Sequence, residues 1–179
     1  LVISDKKFAV EKPGYDVNVH NLDNLKKIIT KNSLYSLILK EAKVILNKSL
    51  LDEIKAIKLT KDFSFILNTT KDVLEINKQF IDLEKDDFDN YAVIYSLVLR
   101  LRGLYMINCI LKNRLYSNKD FKNFAIKRGV KNFNLLYEIY RHERDNRKIG
   151  KIKISKDDVK ILYHLVENET KKKSTKINR

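Results

Sequence analysis

The sequence of 179 residues contains no tryptophan, one cysteine, one proline and four glycines. A lone cysteine can form neither an internal disulfide nor a cysteine-based zinc site, so both are excluded. His20, His142 and His164 lie far apart, with no second histidine or cysteine at ligand spacing, so no histidine zinc site is expected. The sequence also lacks a glycine-rich phosphate loop, a Gly-x-Ser-x-Gly elbow and a Walker motif. These absences argue against a self-contained hydrolase or nucleoside triphosphatase.

Long apolar runs are absent as well. The most hydrophobic segment, residues 91–111, contains Arg100 and Arg102 and falls short of the roughly 20 uninterrupted apolar residues that a membrane span requires. We therefore expect no membrane partner and a cytoplasmic protein. The first residue is Leu1, and no basic-then-apolar leader follows it. We expect an intracellular chain from which upstream sequence is missing.

The net charge of +14 is concentrated in one part of the chain. Residues 1–99 hold 15 Lys and Arg against 15 Asp and Glu, whereas residues 100–179 hold 22 against 8. Such asymmetry favours binding of a polyanion by the second part. A solvated lysine-rich surface without a ligand explains the same composition, and both interpretations stay open here.

The apolar pattern predicts an α+β protein that is mostly α. Residues 7–11 and 15–20 alternate apolar and polar side chains on either side of Pro13 and Gly14, which predicts a hairpin. Helical periodicity follows over residues 22–29 and 33–42, and residues 43–46 suit a short buried strand. We divide the chain into a small α/β part, residues 1–48, and an antiparallel helical bundle, residues 49–179.

Helical periodicity predicts six further helices, over residues 49–58, 60–83, 88–116, 117–128, 132–147 and 155–171. Ser49, Thr60 and Ser155 are the predicted caps of three of them, and Gly129 is the predicted stop of a fourth. Residues 171–179 are expected to form a frayed basic tail. The long apolar helix 88–116 could also serve as a homodimer interface.

The first 46 residues resemble the end of a minimal nucleotidyltransferase domain of the DNA polymerase β superfamily. The similarity consists of a carboxylate-bearing strand at residues 16–19, a helix at 24–29 and the sequence Lys-Glu-Ala-Lys-Val-Ile-Leu at 40–46, with alanine where the family has glycine. Residues 94–110, 135–145 and 154–167 resemble the helical domain that follows the catalytic domain in archaeal-type members, which is related to HEPN bundles.

This resemblance implies metal-dependent nucleotidyl transfer from a nucleoside triphosphate to an acceptor. Three carboxylates would hold Mg²⁺ or another divalent metal, and Asp16 matches the third of them. The Gly-Ser and Asp-x-Asp elements that supply the other two are absent from this sequence, so we expect the chain alone to be inactive. Asp87 and Asp89 have Asp-x-Asp spacing but are interpreted as a helix start. The arginine and histidine pair of HEPN ribonucleases is also missing, because His142 directly follows Arg141.

Asp16 has an alternative interpretation as a solvent-facing residue of an edge strand. An inward carboxylate among apolar neighbours would instead require a cation or another partner.

A second group of candidates is basic. Arg141, Arg144 and Lys148 would project from one side of a helix that reaches residue 147, and could grip phosphates. Tyr137 and Tyr140 could offer stacking surfaces beside them. Interleaved Glu138, Glu143 and Asp145 could instead neutralise these arginines, and the tyrosines could belong to the core.

Arg100 and Arg102 interrupt a mostly apolar helix. They are predicted either to pair with acids such as Asp72 or Glu75 or to line an interdomain cleft with a role in phosphate binding.

Two functional hypotheses follow. In the first, the chain is the C-terminal part of a nucleotidyltransferase, with Asp16 as the one metal-site carboxylate present. In the second, it is a non-catalytic basic helical module that binds nucleic acid or a partner protein.

Overall fold

The computed structural model describes residues 2–4, 6, 19–31, 34, 48–57, 62–148, 150 and 152–177. The chain forms two compact units, Leu1–Asp62 and Phe63–Arg179. The described residues form seven helices and one small parallel sheet, so the predicted class of α+β, mostly α, is confirmed. The division lies after Asp62, whereas the sequence placed a boundary at residues 48–49.

The first unit contains the sheet and two helices. Strands β1 (Val2–Ile3) and β2 (Val19–His20) pair in parallel, with Val2 opposite Val19. Helix α1 (Leu22–Lys31) confirms the helix predicted for 22–29, and the Asn21 side chain caps it by accepting a hydrogen bond of 2.7 Å from the Asn24 backbone N–H. Most of the predicted hairpin and of the helix 33–42 lies outside the described residues, as do the strand 43–46 and Asp16.

Helix α2 (Lys48–Lys55) belongs with the first unit because its apolar face packs there. Ile54 forms a buried cluster with Leu25 and Ile29 of α1. Lys26 and Glu53 add an exposed ion pair of 2.6 Å between the two helices. The helix begins at Lys48, one residue before Ser49, so the predicted cap lies inside the first turn.

The second unit is a bundle of five helices among its described residues. They are α3 (Ser64–Leu83), α4 (Tyr91–Leu111), α5 (Asn118–Lys127), α6 (Phe133–Arg144) and α7 (Lys156–Ile177). Helix α4 packs against α3, α6 and α7, while α5 packs on α6 and α3 on α7. Its apolar residues are buried on several sides, among them Ile94, Leu97, Leu101 and Leu104. Helix α4 is therefore the centre of this unit.

Helix α4 is long and apolar enough to cross a membrane when only length and composition are considered, with a mean hydropathy of 1.4. The central helix of a soluble bundle meets the same criterion, and many of its residues are buried against the neighbouring helices.

The start of α4 differs from the sequence prediction. The helix begins at Tyr91 after an Asn90 cap, so Asp87 and Asp89 precede it instead of forming its first turn. Residues 86–88 are held by an antiparallel bridge between Asp87 and Ser155 and by a hydrogen bond of 2.9 Å from the Phe88 N–H to the Ile154 carbonyl. Phe88 is fully buried. This tertiary pairing holds Phe88 outside the helix that the sequence predicts to begin there.

The sequence predicted both ends of α5 correctly from its cap and its stop. Ser117 caps it by accepting from the Asp120 N–H at 3.3 Å, and Gly129 follows the helix with φ of 100°. A left-handed backbone at this position suits glycine because it has no Cβ.

The chain beyond residue 171 is not the frayed tail that we predicted, because α7 continues to Ile177. Lys173 is buried there and forms an ion pair of 2.9 Å with buried Glu169. Arg128, which follows α5, contacts the same carboxylate at 3.1 Å. Burial of an ion pair makes this last stretch of helix part of the packed bundle.

Replacing Gly129 with alanine should lower the free energy of unfolding by about 1 kcal/mol, because a positive φ disfavours any residue with a Cβ. No atom lies within 4 Å of the position that the new Cβ would take, so strain in the backbone is the only expected cost. Gly150→Ala, where the space is equally open and φ is not positive, is the control. Chemical denaturation of both variants measures the difference, and equal effects would contradict the assignment of strain to Gly129.

The buried pair of Glu169 and Lys173 should contribute far more stability than an exposed pair of the same geometry. Glu167 and Lys171 form a matched control on α7, also four residues apart and also at 2.9 Å, but with side chains 32% and 68% exposed against 5% and 4% for the buried pair. Glu169→Gln should cost about 3 kcal/mol because it leaves a buried ammonium poorly paired, and Glu167→Gln less than about 1 kcal/mol. Similar losses in the two variants would show that burial does not matter here.

The same pair should make the fold sensitive to acid. Burial alone raises the pKa of the Glu169 carboxyl, but its hydrogen bond from Lys173 and the charges of Lys173, Arg128 and Lys172 lower it below the ordinary 4.5 overall. A carboxyl whose pKa is lower in the folded state stabilises the fold above its unfolded pKa and loses that effect as pH falls through the folded value. Glu169→Gln should therefore flatten the decline of stability below about pH 4.5.

Candidate phosphate-binding site

Arg102 lies at the centre of a polar cluster between α4, α6 and the segment that precedes α5. Its Nε donates to the Tyr116 hydroxyl at 3.0 Å, and its Nη1 donates to the Tyr140 hydroxyl at 3.1 Å. The Arg102 guanidinium carbon also lies 5.1 Å from the centroid of the Tyr116 ring. Two hydroxyls and one aromatic face thus fix the position of this guanidinium.

The described residues place no carboxylate within 4.0 Å of Arg102, so the predicted pairing with Asp72 or Glu75 is wrong. Partial burial alone lowers the pKa of Arg102, but the oxygens of Tyr116 and Tyr140 raise it above its ordinary value overall. The guanidinium is therefore always charged. Of its five N–H donors, two are used on hydroxyls, and the other three have no hydrogen-bond partner in the part of the chain that the structure describes.

The phenol groups around Arg102 are themselves held in place. Asn118 Oδ1 accepts from the Tyr116 hydroxyl at 2.7 Å and from the Tyr137 hydroxyl at 3.0 Å. The Tyr95 ring stacks on the Tyr140 ring with centroids 5.5 Å apart and planes 15° from parallel. Burial raises the pKa of Tyr116 to about 12, although the Arg102 charge and hydrogen bond lower it in part. The Tyr116 phenol therefore stays protonated and neutral at physiological pH.

Arg144 approaches the same group from α6. Its guanidinium carbon lies 5.9 Å from the Tyr140 ring centroid. The hydrogen bond to Asp145 is the main reason that the pKa of Arg144 is raised; burial opposes the rise, and the Tyr140 oxygen adds to it. Arg102 and Arg144 thus both approach Tyr140, Arg102 at its hydroxyl and Arg144 at its ring. We call Arg102, Tyr116, Asn118, Tyr137, Tyr140 and Arg144 the arginine–tyrosine cluster.

The surroundings of the cluster are cationic. Lys122 Nζ lies 4.6 Å from the Tyr137 ring centroid. Burial raises the pKa of Tyr137, and the charge of Arg141 is among those that lower it in part. Glu138 lies 3.4 Å from Arg141 and 3.9 Å from Lys122, and Asp145 lies 2.7 Å from Arg144. Two carboxylates, Glu138 and Asp145, therefore accompany four cations: Lys122, Arg141, Arg144 and Arg102. Neither carboxylate lies within 4.0 Å of Arg102. The site is rich in hydrogen-bond donors and carries excess positive charge.

Three of the five predicted phosphate-binding residues, Arg102, Arg141 and Arg144, lie in or beside the cluster. Arg100 does not, because it faces α3, where its Nη1 donates to the Thr69 hydroxyl at 3.4 Å. Lys148 does not lie on their helix face either. Helix α6 ends at Arg144, and Asn146 has φ of 49°, so the chain turns before Lys148.

The predicted stacking surfaces are wrong. Tyr137 is 5% exposed and Tyr140 is 1% exposed, so their rings belong to the core and cannot stack on a nucleobase. Their contribution to the site is the position of their hydroxyls. The alternative that acids neutralise the helical arginines holds for Arg141 and Arg144, which pair with Glu138 and Asp145.

Sequence reasoning missed Tyr116 and Asn118 as site residues. They flank the Ser117 cap, where the sequence predicts the end of one helix and the start of the next, and nothing in the sequence relates them to Arg102, 14 and 16 residues earlier. A polar residue next to a helix cap is common, so only the fold identifies their role.

Asp16, the predicted metal ligand, lies outside the described residues. Within the described part of the chain, no three His, Cys, Asp or Glu residues form a group that could hold a metal ion. The relationship to nucleotidyltransferases, Mg²⁺ as a cofactor and nucleotidyl transfer stay predictions from the sequence. Comparison of the chain with protein-family models, curated proteins and solved structures gives no match.

Replacing Arg102 with methionine should lower the free energy of unfolding by about 1–3 kcal/mol, since it removes the donor to a buried hydroxyl. Arg141→Met is the matched control on the neighbouring helix, because that side chain is 45% exposed and pairs only with half-exposed Glu138. Its replacement should change stability by no more than about 0.5 kcal/mol. Thermal and urea unfolding of both variants measure the difference. A neutral Arg102→Met variant would refute a structural role for its hydroxyl contacts.

Proposed function

We propose that the second unit binds nucleic acid through its phosphates, with the arginine–tyrosine cluster as the primary contact. The observation that supports this proposal most is that Arg102 is a partly buried, permanently charged guanidinium with no carboxylate partner among the described residues. Three of its N–H donors are left for a ligand. Guanidinium groups bind phosphate oxygens through paired, charge-assisted hydrogen bonds.

The charge distribution supports the same class of ligand. Residues 100–179 carry 22 basic against 8 acidic residues, and a polyanion gains from many such charges at once. A small isolated anion would gain only from the cluster itself. Nucleic acid is an abundant cellular polyanion that presents repeated phosphates along its length.

The burial of the tyrosines determines what kind of recognition is expected. Because Tyr137 and Tyr140 do not offer their faces to a base, stacking contributes little. Phosphate contacts position a nucleic acid but do not read its sequence. The proposed binding is therefore independent of base sequence and strongly dependent on salt.

The proposal predicts a specific loss when the two converging arginines are replaced. Fluorescence anisotropy with a labelled thymidine oligonucleotide of about 20 residues measures the affinity of the full chain between 50 and 200 mM salt. Arg102→Gln with Arg144→Gln should weaken binding by about tenfold or more. It should also reduce the slope of log affinity against log salt by about 1.4, since each phosphate contact to a single strand contributes about 0.7.

A charge-matched control separates the cluster from general attraction. Lys153→Gln with Lys160→Gln removes two exposed charges elsewhere on the same unit and should weaken binding by less than about threefold. Arg144→Gln alone, at a side chain 42% exposed, gives a second test if the double variant unfolds, and should weaken binding more than either lysine replacement. Equal losses in the cluster and control variants would reject the site, and no binding by the wild-type chain would reject the function.

A further inference from the structure

Helix α3 carries an apolar stripe that the bundle does not cover. Its buried residues include Leu67, Leu74 and Ile81, which face α4 and α7. A different side of the same helix carries large apolar side chains with high exposed fractions: Phe65 at 78%, Ile76 at 53%, Phe80 at 47% and Leu83 at 82%. Thr69 and Val73, which are half-buried, continue this side between Phe65 and Ile76. We call Phe65, Thr69, Val73, Ile76, Phe80 and Leu83 the α3 stripe.

The spacing of these residues forms one continuous surface. At 100° per residue, all six lie within about 80° of one another around the helix. Phe65 and Leu83 are 18 positions apart, so the stripe is about 27 Å long at 1.5 Å per residue. That length matches five turns of a second helix. Exposed apolar surface of this extent, and in a single line, is typical of an interaction site.

The edge of the stripe toward α7 is acidic. Asp72, Glu75 and Asp82 lie about 40°, 100° and 120° from Ile76 around the helix, while the two lysines of α3 lie at about 140° and 160°. Glu75 and Asp82 are close enough to α7 to raise the pKa of Tyr163, although burial is the larger cause and Lys171 opposes it. Among the described residues, no Lys, Arg or His nitrogen lies within 4.0 Å of these three carboxylates.

Basic groups lie close to these acids as well. Lys71 and Lys78 follow them around the helix on the side away from the stripe, and Lys156 Nζ donates to the Asp82 carbonyl at 3.4 Å. Asp72, Glu75 and Asp82 therefore stand between the exposed apolar side chains and the two lysines of α3, and they make this edge of the stripe acidic.

We infer that the α3 stripe binds an amphipathic helix of a partner protein, with lysines or arginines along the edge that meets Asp72, Glu75 and Asp82. Large apolar side chains of that helix would pack against the stripe between Phe65 and Leu83. On the opposite edge Arg100, which donates to Thr69, and Leu99, which is 37% exposed, complete the surface. Edge charges of this kind determine which helices pair.

The acidic edge disfavours two other occupants. Two copies of α3 in antiparallel contact would bring identical edges together, so that carboxylates would repel carboxylates. An anionic lipid surface would be repelled by the same groups. A basic helix, in contrast, gains from both the apolar stripe and its border.

Two synthetic peptides of about 20 residues test the proposal against the full chain. Both are helical with the same leucine stripe, one with lysines and the other with glutamates at the flanking positions. Fluorescence anisotropy should show saturable binding of the lysine peptide at least tenfold tighter than that of the glutamate peptide. The net charge of +14 alone favours the opposite order, so preference for the lysine peptide requires the local acidic edge.

Substitutions in the α3 stripe and outside it test where the lysine peptide binds. Ile76→Ser with Phe80→Ser should weaken lysine-peptide binding by at least tenfold, and Asp72→Asn with Glu75→Gln and Asp82→Asn should abolish the preference between the peptides. Leu111→Ser with Leu115→Ser, at exposed apolar positions outside α3, is the control and should change nothing. Three results would overturn the proposal: equal binding of both peptides, no loss in the Ile76 and Phe80 variant, or a dimer of the chain in light scattering that the same variant dissociates.

Discussion

The contact of the Arg102 guanidinium with the Tyr116 and Tyr140 hydroxyls is the constraint on which the proposed site depends. A partly buried charge normally requires a carboxylate, which would neutralise it. Here two neutral hydroxyls, held by Asn118 and by the stacked Tyr95 ring, fix the guanidinium and leave its charge uncompensated. The protein thus holds a cation in a defined orientation with donors to spare, which is the requirement for binding an anion.

Helix α4 gives the second unit two different surfaces because its two arginines point to different neighbours. Arg102 faces α6 and the segment before α5, where its guanidinium donates to two tyrosine hydroxyls. Arg100 faces α3 and contacts Thr69 at the edge of an apolar, acid-bordered stripe. A single central helix therefore relates a cationic site suited to phosphates and an apolar face suited to a helix. The two proposals rest on different residues and can fail independently.

The sequence predicted what depends on neighbours along the chain. Helix α5 was located because the Ser117 cap and Gly129 stop are local features, and the mostly helical class followed from apolar periodicity. The predictions from the sequence were wrong where contacts with other parts of the bundle determine the ends of a helix. Phe88 left the predicted helix because its N–H bonds to the Ile154 carbonyl, and α7 extended past residue 171 because Lys173 is buried in the bundle beside Glu169, whose carboxylate also contacts Arg128 of another segment. Arginines could be named as candidates, but Tyr116, which accepts from Arg102, and Asn118, which accepts from Tyr116, could not, since only packing brings them together.

The most direct measurement follows the Arg102 Nε–H signal in a nitrogen-15 NMR spectrum, assigned by its loss in Arg102→Lys, while a single-stranded oligonucleotide is added to the full chain. Our account predicts that this signal shifts in a saturable way, together with that of Arg144, and that the shifts vanish at high salt. A site that binds nothing would leave the Arg102 signal unchanged while signals of exposed lysines and arginines moved, and that result would contradict the account.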